Sequence, residues 1–233
     1  MSIADNVKAV RAQMAEAALR AGRDPAEIAL CAATKMNDAA RVREAVAAGV
    51  DACGENRVQE LLEKLPQGAY TGRPVHFIGH LQKNKAKQVV GAVDLIESVD
   101  SVELLALLNR LAAERGIVQD ILLEVNIGGE AAKSGVAPEQ VDELAAQMAD
   151  FSALRLRGLM AIPPVSEKTG GNLQYFEKMH QLFVDIRAKK YDNSVIECLS
   201  MGMSGDFADA IAAGSTMVRI GTAIFGARQY PRA

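Results

Sequence analysis

Tryptophan is absent, and tyrosine and phenylalanine together make up only 4% of the chain. That scarcity argues against an aromatic-lined groove for nucleic acid or sugar. Cysteine is also rare: Cys31, Cys53 and Cys198 lie far apart, in apolar surroundings, with no C-x-x-C spacing. Such residues read as small buried hydrophobes in a reduced compartment rather than as a disulfide or metal set. There is no polybasic tail, and 29 acidic against 26 basic side chains give a net charge of −3. Neither a nucleic-acid surface nor an anionic-membrane surface is implied. No apolar run approaches the roughly 20 residues that cross a bilayer. The N-terminal MSIADN opens an amphipathic helix, not a secretory apolar core. A cytoplasmic protein is expected. H-E-x-x-H does not occur, and no G-x-G-x-x-G follows the first strand-like run, so neither a zinc-protease helix nor a dinucleotide fingerprint is present.

What the chain does have is alternation. Its 233 residues approach the roughly 250 of an α/β barrel. After a helix over 2–21, strand-like runs fall at 28–35, 52–56, 75–81, 95–99, 121–127, 156–162, 196–201 and 217–225. Between them lie helical patterns such as Val102/Leu105/Leu108/Leu111, Val141/Leu144/Ala145/Met148 and Phe176/Met179/Phe183/Ile186. Strands alternating with helices make a parallel sheet, because parallel neighbours need a crossover. Eight such runs predict a closed (β/α)8 TIM-type barrel with an extra N-terminal helix, an α/β fold. An open doubly wound sheet is the competing architecture. No Pro/Gly/Ser linker divides the chain, so one domain is expected over 1–233.

In a barrel the chemistry sits where strands end and βα loops begin. The first strand runs out into Thr34-Lys35-Met36-Asn37-Asp38. Lys35 is a charge straight after an apolar strand, and desolvation there favours the neutral amine that Schiff-base chemistry requires. A lysine that simply escapes to solvent at the strand end fits equally well on this residue alone. After the seventh run, Ser200-Met201-Gly202-Met203-Ser204-Gly205 can offer hydroxyls and N–H groups to a phosphate. Gly221 and Thr222 close the eighth, where barrels often hold phosphate. Asp206 places a negative charge nearby, so its carboxylate should cap the next helix or point outwards.

Arg219, flanked by Val218 and Ile220, should be buried. Either it forms an ion pair inside the barrel, or it donates to the pyridine nitrogen of a cofactor held by Lys35. Asn56 can reach such a cofactor's ring or phenolic oxygen, while Glu55 reads as a cap or as a partner of Arg57. His76 and His80, four apart on one strand, are about 13 Å apart and cannot share a metal; no metal is expected. His180 reads as a helix-surface residue. Lys83, Lys85 and Lys87 read as a solvated face, and Lys133, in the loop after the fifth strand, as a second amine at the mouth.

These segments resemble the pyridoxal phosphate homeostasis proteins, whose barrel is similar to the N-terminal domain of bacterial alanine racemase. The resemblance rests on CGENRVQE (53–60), VHFIGHLQKNK (75–85), VNIGGEAAKSG (125–135), GLMAIPP (158–164) and LSMGMSGDFADAIAAGSTMVRIGTAIFGAR (199–228). It implies pyridoxal 5′-phosphate as a Schiff base on Lys35, with Arg219 on the pyridine nitrogen. Ser200, Ser204, Gly221 and Thr222 would hold the phosphate, with Asn56 nearby. It also implies a role in cofactor homeostasis or delivery rather than established turnover. Expected partners are the cofactor and, transiently, pyridoxal-phosphate-dependent apo-enzymes, with the chain itself a monomer. Where the family usually has a polar residue and a proline after the lysine, this chain has Met36-Asn37-Asp38.

Two other functions compete. An amino-acid racemase needs an acid–base group on each face of the substrate. In the racemase the second is a tyrosine from another domain, which is not expected here, and Tyr70, Tyr175, Tyr191 and Tyr230 fall away from the strand ends. A Schiff-base aldolase acting on sugar phosphates would use Lys35 without any cofactor.

Overall fold

The computed structural model describes residues 2–130, 132–166, 168 and 170–227. Eight parallel strands close into a barrel in sequence order: β1 (Ala29–Ala33), β2 (Ala52–Glu55), β3 (Val75–Phe77), β4 (Leu95–Val99), β5 (Gln119–Val125), β6 (Leu154–Ala161), β7 (Ser194–Ser200) and β8 (Met217–Ile220). Closure is made by β8 lying against β1, with Cys31 opposite Arg219 and Ala32 opposite Ile220. The expected barrel is thus formed. Every strand except β4 ends earlier than the hydrophobic pattern suggests, β3 and β8 by the most. β3 stops at Phe77 because the chain turns at Gly79, where an added Cβ would lie 2.2 Å from the Asn56 carbonyl oxygen. β8 stops at Ile220 because Thr222–Phe225 is helical.

The helices are α1 (Ile3–Arg20), α2 (Ala39–Ala47), α3 (Val58–Lys64), α4 (Ala86–Val89), α5 (Val102–Glu114), α6 (Val141–Ala146), α7 (Leu173–Lys189), α8 (Phe207–Ala212) and α9 (Thr222–Phe225). Helix α1 starts at a capping box, in which Ser2 and Asp5 satisfy each other's backbone N–H groups. It buries Ile3, Val7, Val10, Met14 and Ala18, a stripe at helical spacing. Asn6 of α1 donates to the Ile224 carbonyl at 2.8 Å, tying this extra helix to the last βα unit.

Alternation along the strands builds two cores. Outward residues such as Leu30, Ile96 and Leu123 pack under the helices. Inward ones fill the lumen, where Leu95, Leu122 and Met160 form a small apolar cluster with Cys198 against it. One glycine is indispensable to the sheet. Gly158 has φ 147°, and a Cβ there would sit 1.8 Å from the Cys198 carbonyl oxygen, so β6 can pass β7 only without a side chain.

Candidate functional site

Two residues along a strand is one step up the lumen. Going up from Leu95 and Cys198 leads to Glu97 and Ser200, and this second layer is polar. Arg219 lies in it, 4% exposed. Its Nη1 donates to Ser200 Oγ at 2.6 Å and its Nη2 to the Ala161 carbonyl at 2.9 Å. The Ser200 hydroxyl donates in turn to Glu97 Oε2 at 2.6 Å, and Glu97 Oε1 lies 2.7 Å from His76 Nδ1. Arg219 is therefore buried, as expected from its apolar neighbours, and paired inside the barrel. Burial pushes the Glu97 carboxyl up, but His76, Arg219 and the Ser200 hydroxyl outweigh it and hold it below the usual carboxylate range.

Cys31, His76 and Glu97 bring their ligand atoms within 4.8 Å of one another, a set of metal-ligand types that the sequence did not reveal. Glu97 already has one oxygen against His76 and the other on Ser200, with Arg219 3.8 Å away. Burial pushes the Cys31 thiol well up, favouring the protonated form. This layer is a hydrogen-bonded polar network more than a cation cage.

A further step up reaches the mouth. Lys35, Met36, Asn37, Arg41, Gly221 and Thr222 line one cleft of roughly 340 Å³. A Cβ on Gly221 would meet only Ala33, at an ordinary contact distance of 3.5 Å, so the backbone there is uncrowded. Arg41 closes one side: its Nε donates to Asn37 Oδ1 at 3.0 Å, and its guanidinium lies 5.9 Å from the Phe225 ring centroid. The β1–β2 pairing ends at Ala33↔Gly54, and Lys35 and Asn56 each follow two residues beyond it. Asn56 Oδ1 is buried and has no hydrogen-bond partner among the described residues, an orphaned acceptor.

The chain around Lys35 is tightly held. Thr34 donates to Glu55, and its carbonyl accepts from Lys64 Nζ at 3.0 Å. Met36 N–H donates to Glu60 Oε2 at 2.6 Å, and Asn37 Nδ2 donates to the Lys35 carbonyl at 3.0 Å. Met36 itself has φ 61°, a left-handed conformation that costs a non-glycine residue about 1 kcal/mol or more and persists only when its surroundings enforce it. Asp38 then caps α2 by accepting from Arg41 N–H. The Met-Asn-Asp sequence is thus a strained turn followed by a cap.

Several expected residues stand elsewhere. Ser200 is fully buried below the mouth, its hydroxyl engaged by both Arg219 and Glu97, so it serves the arginine instead of a phosphate loop. Ser204 sits between the last two loops, with Ala223 N–H 3.4 Å from its Oγ. Asp206 stands at the N-cap of α8, but its carboxylate turns back to Met203 N–H at 2.7 Å and Asn172 Nδ2 at 2.8 Å. Glu55 pairs with Lys64, not Arg57, and Arg57 pairs with Glu60. The Tyr70 hydroxyl does reach a strand end, donating to Glu55 at 2.9 Å on the barrel's outer wall. Tyr230 lies outside the described residues. Lys133 is held by Glu130 and donates to the Pro163 carbonyl at 3.2 Å. His180 is on the exposed face of α7, and Lys83 and Lys87 are exposed.

Two features resemble catalysis more than they support it. Ser134 Oγ lies 2.9 Å from His80 Nδ1, but Asp100 lies 3.5 Å from that same nitrogen. A nucleophile relay needs its two partners on opposite ring nitrogens. Glu124, whose Oε2 has no partner, is pushed up to about 7 by burial and by the Asp100 carboxylate, with Arg219 opposing. A carboxylate inside an apolar strand run, as in LIESV and ILLEV, is the signal that would have found Glu97 and Glu124 in the sequence.

A closed (β/α)8 barrel with a lysine just past its first strand, beside the loops of its last two, has the form of the alanine racemase N-terminal class. Residues 2–229 match the family model described as "Alanine racemase, N-terminal domain". Alanine racemase of Clostridium difficile 630 superposes with a TM-score of 0.67 over 98% of this chain and 58% of its own, at 17% identity, a likeness of fold alone. The pyridoxal phosphate homeostasis protein of Escherichia coli K12 is 43% identical over 99% of this chain and 98% of its own length. PipY of Synechococcus elongatus, solved with PLP bound, superposes with a TM-score of 0.84 at 32% identity, over 97% of this chain and all of its own. The chain belongs to the pyridoxal phosphate homeostasis protein family.

Proposed function

We propose that the chain binds pyridoxal 5′-phosphate at the barrel mouth and takes part in holding and delivering it inside the cell. The observation that carries this is the shared cleft of Lys35, Gly221 and Thr222, with the Arg219 guanidinium one layer beneath. The donor set fits the group. When bound, the cofactor supplies an aldehyde for Lys35 to hold as a Schiff base and a ring that can draw electrons from an attached carbon. Arg219 keeps its proton and would donate to the pyridine nitrogen, which would leave that nitrogen unprotonated and the ring a weaker electron sink. Ser204, Gly221 and Thr222 would hold the phosphate, and the Asn56 oxygen, unpartnered among the described residues, would lie on the ring side. The PLP-bound relative and the names of the full-length relatives support the same assignment.

The racemase reading is not favoured. It needs a second proton-transfer group on the far face of the substrate. Tyr70 is committed to Glu55, while Tyr175 lies on α7 and Tyr191 just beyond it, bonded to Asp142. We read the chain as a binding protein without established turnover. In that role it is a monomer in the cytoplasm meeting apo-enzymes transiently, a setting consistent with three unpaired cysteine thiols.

The test is the absorbance spectrum of the purified protein with added pyridoxal phosphate, beside Lys35→Ala. A visible band in the wild type, removed by borohydride and missing in the variant, is expected. No band in either would overturn the reading and favour a lysine acting directly on sugar phosphates. Loss of optical rotation from L-alanine would instead restore the racemase.

A further inference from the structure

A guanidinium buried in a lumen has two needs: a counter-charge, and something that fixes its plane. Both needs are met for Arg219 by groups on other strands. Ser200 and the Ala161 carbonyl accept from two of its five N–H groups. Glu97 lies 3.8 Å from Nη1 and receives the Ser200 hydroxyl, while His76 anchors the other carboxylate oxygen. His76, Glu97, Ser200 and Arg219 come from four different strands and are all buried. A line of short hydrogen bonds therefore crosses the lumen and ends on the arginine.

We propose that Glu97, anchored by His76 and acting through Ser200, is a positioning residue that aims the uncommitted N–H groups of Arg219 at the ring nitrogen of the cofactor above. The inference rests on the pyridoxal phosphate reading. Its physical content is twofold. The carboxylate removes the rotational freedom that a lone buried arginine would keep, so the donor toward the ring is preorganised. It also turns an isolated cation beneath the ring into an ion pair, which weakens the positive field at the ring nitrogen. Ser200 is the relay, and that explains why its hydroxyl points into the lumen instead of toward the phosphate loops.

The experiment is a double-mutant cycle on the full chain, reading pyridoxal phosphate affinity and the position of the visible band. Glu97→Gln is expected to weaken binding about tenfold and shift the band, and Ser200→Ala to do so about threefold. In an Arg219→Ala background neither change should alter affinity by more than about twofold, because the residue they act through is gone. Inorganic phosphate, as a competing probe, should bind wild type and Glu97→Gln equally. A full tenfold loss from Glu97→Gln in the Arg219→Ala background would show a merely structural role and overturn the proposal. Wild-type affinity and band in both Glu97→Gln and Ser200→Ala would do the same. If Glu97→Gln does not fold, Ser200→Ala and Glu97→Asp carry the cycle. A wild type that takes up no pyridoxal phosphate at all overturns the cofactor reading itself, an outcome distinct from a loaded wild type with indifferent variants.

Discussion

Lys64 and Arg219 are both cations with only 4% of their surface exposed, one on the outer wall of the barrel and one in its lumen. The lysine has three N–H donors and three acceptors around it: Glu55 Oε1 at 2.7 Å, the Thr34 carbonyl at 3.0 Å and Glu60 Oε2 at 3.2 Å. Its hydrogen bonding is complete within the protein. The arginine has five donors and gives two of them to protein partners. Equal burial thus hides a difference in purpose. The saturated cation holds the backbone on either side of Lys35, through Thr34 and through Glu60 to Met36. The unsaturated one still has donors to offer a ligand. Buried charge alone does not mark a functional group; buried charge with donors to spare does.

The comparison can be broken most directly at the outer wall. Lys64→Ala would leave the fully buried Glu55 without its cation, and we expect a loss of about 3–5 kcal/mol in urea unfolding. Replacing both partners together, with Lys64→Met and Glu55→Leu, should recover a large part of that loss, since an apolar pair avoids the desolvation of either ion. A single-variant cost below about 1 kcal/mol would mean that the wall network does not hold the Lys35 turn as argued. Glu97→Gln, by contrast, should show its effect mainly in the bound cofactor's spectrum.

This difference was only partly visible in the sequence. The alternation of apolar runs gave the barrel, and Lys35, Gly221 and Thr222 were legible because each sits at the end of a run on a strand or loop next to β1. Arg219 stood out as a charge between Val218 and Ile220. Its partners did not, because Glu97 and Ser200 meet it, and His76 meets Glu97, only when β3, β4, β7 and β8 close around one lumen. Ser200 was misplaced for a related reason. A serine at a strand end can face the loop or the lumen, and the pleat that decides this depends on register. Proximity in the chain offers Glu55 only a cap or Arg57, whereas Lys64 reaches it from the far end of α3.

A second, smaller effect sharpens the contrast between satisfied and unsatisfied groups. Glu124 has an ordinary value of 4.5, raised in the folded protein to about 7, chiefly by burial. The folded state therefore holds a proton that the unfolded chain releases. This contribution to stability is complete below about pH 4.5 and is lost as pH rises through about 7. Glu124→Gln, which imitates the neutral acid, should stabilise the protein by about 3 kcal/mol near pH 8 and by almost nothing near pH 4. Equal effects at the two values would show that Glu124 does not titrate in that range.

The smallest expected effect isolates burial itself, because Glu60 faces two cations at once. Lys64 Nζ lies 3.2 Å from its Oε2 with 5% of the lysine side chain exposed, and Arg57 Nη1 lies 3.5 Å from its Oε1 with 65% exposed. The carboxylate is common to both pairs, so the difference between the cations is one of solvent and geometry. Around Arg57, water screens the charge and the long side chain would lose freedom by staying in one place. Arg57→Ala should therefore change stability by less than about 0.5 kcal/mol, and added salt should erase what change there is. Lys64→Ala should keep most of its cost in the same salt, because the ions it separates are out of water's reach. If salt reduced both costs alike, the wall network would be behaving as a surface feature, and its hold on the Lys35 turn would have to come from Thr34 and Gly54 alone.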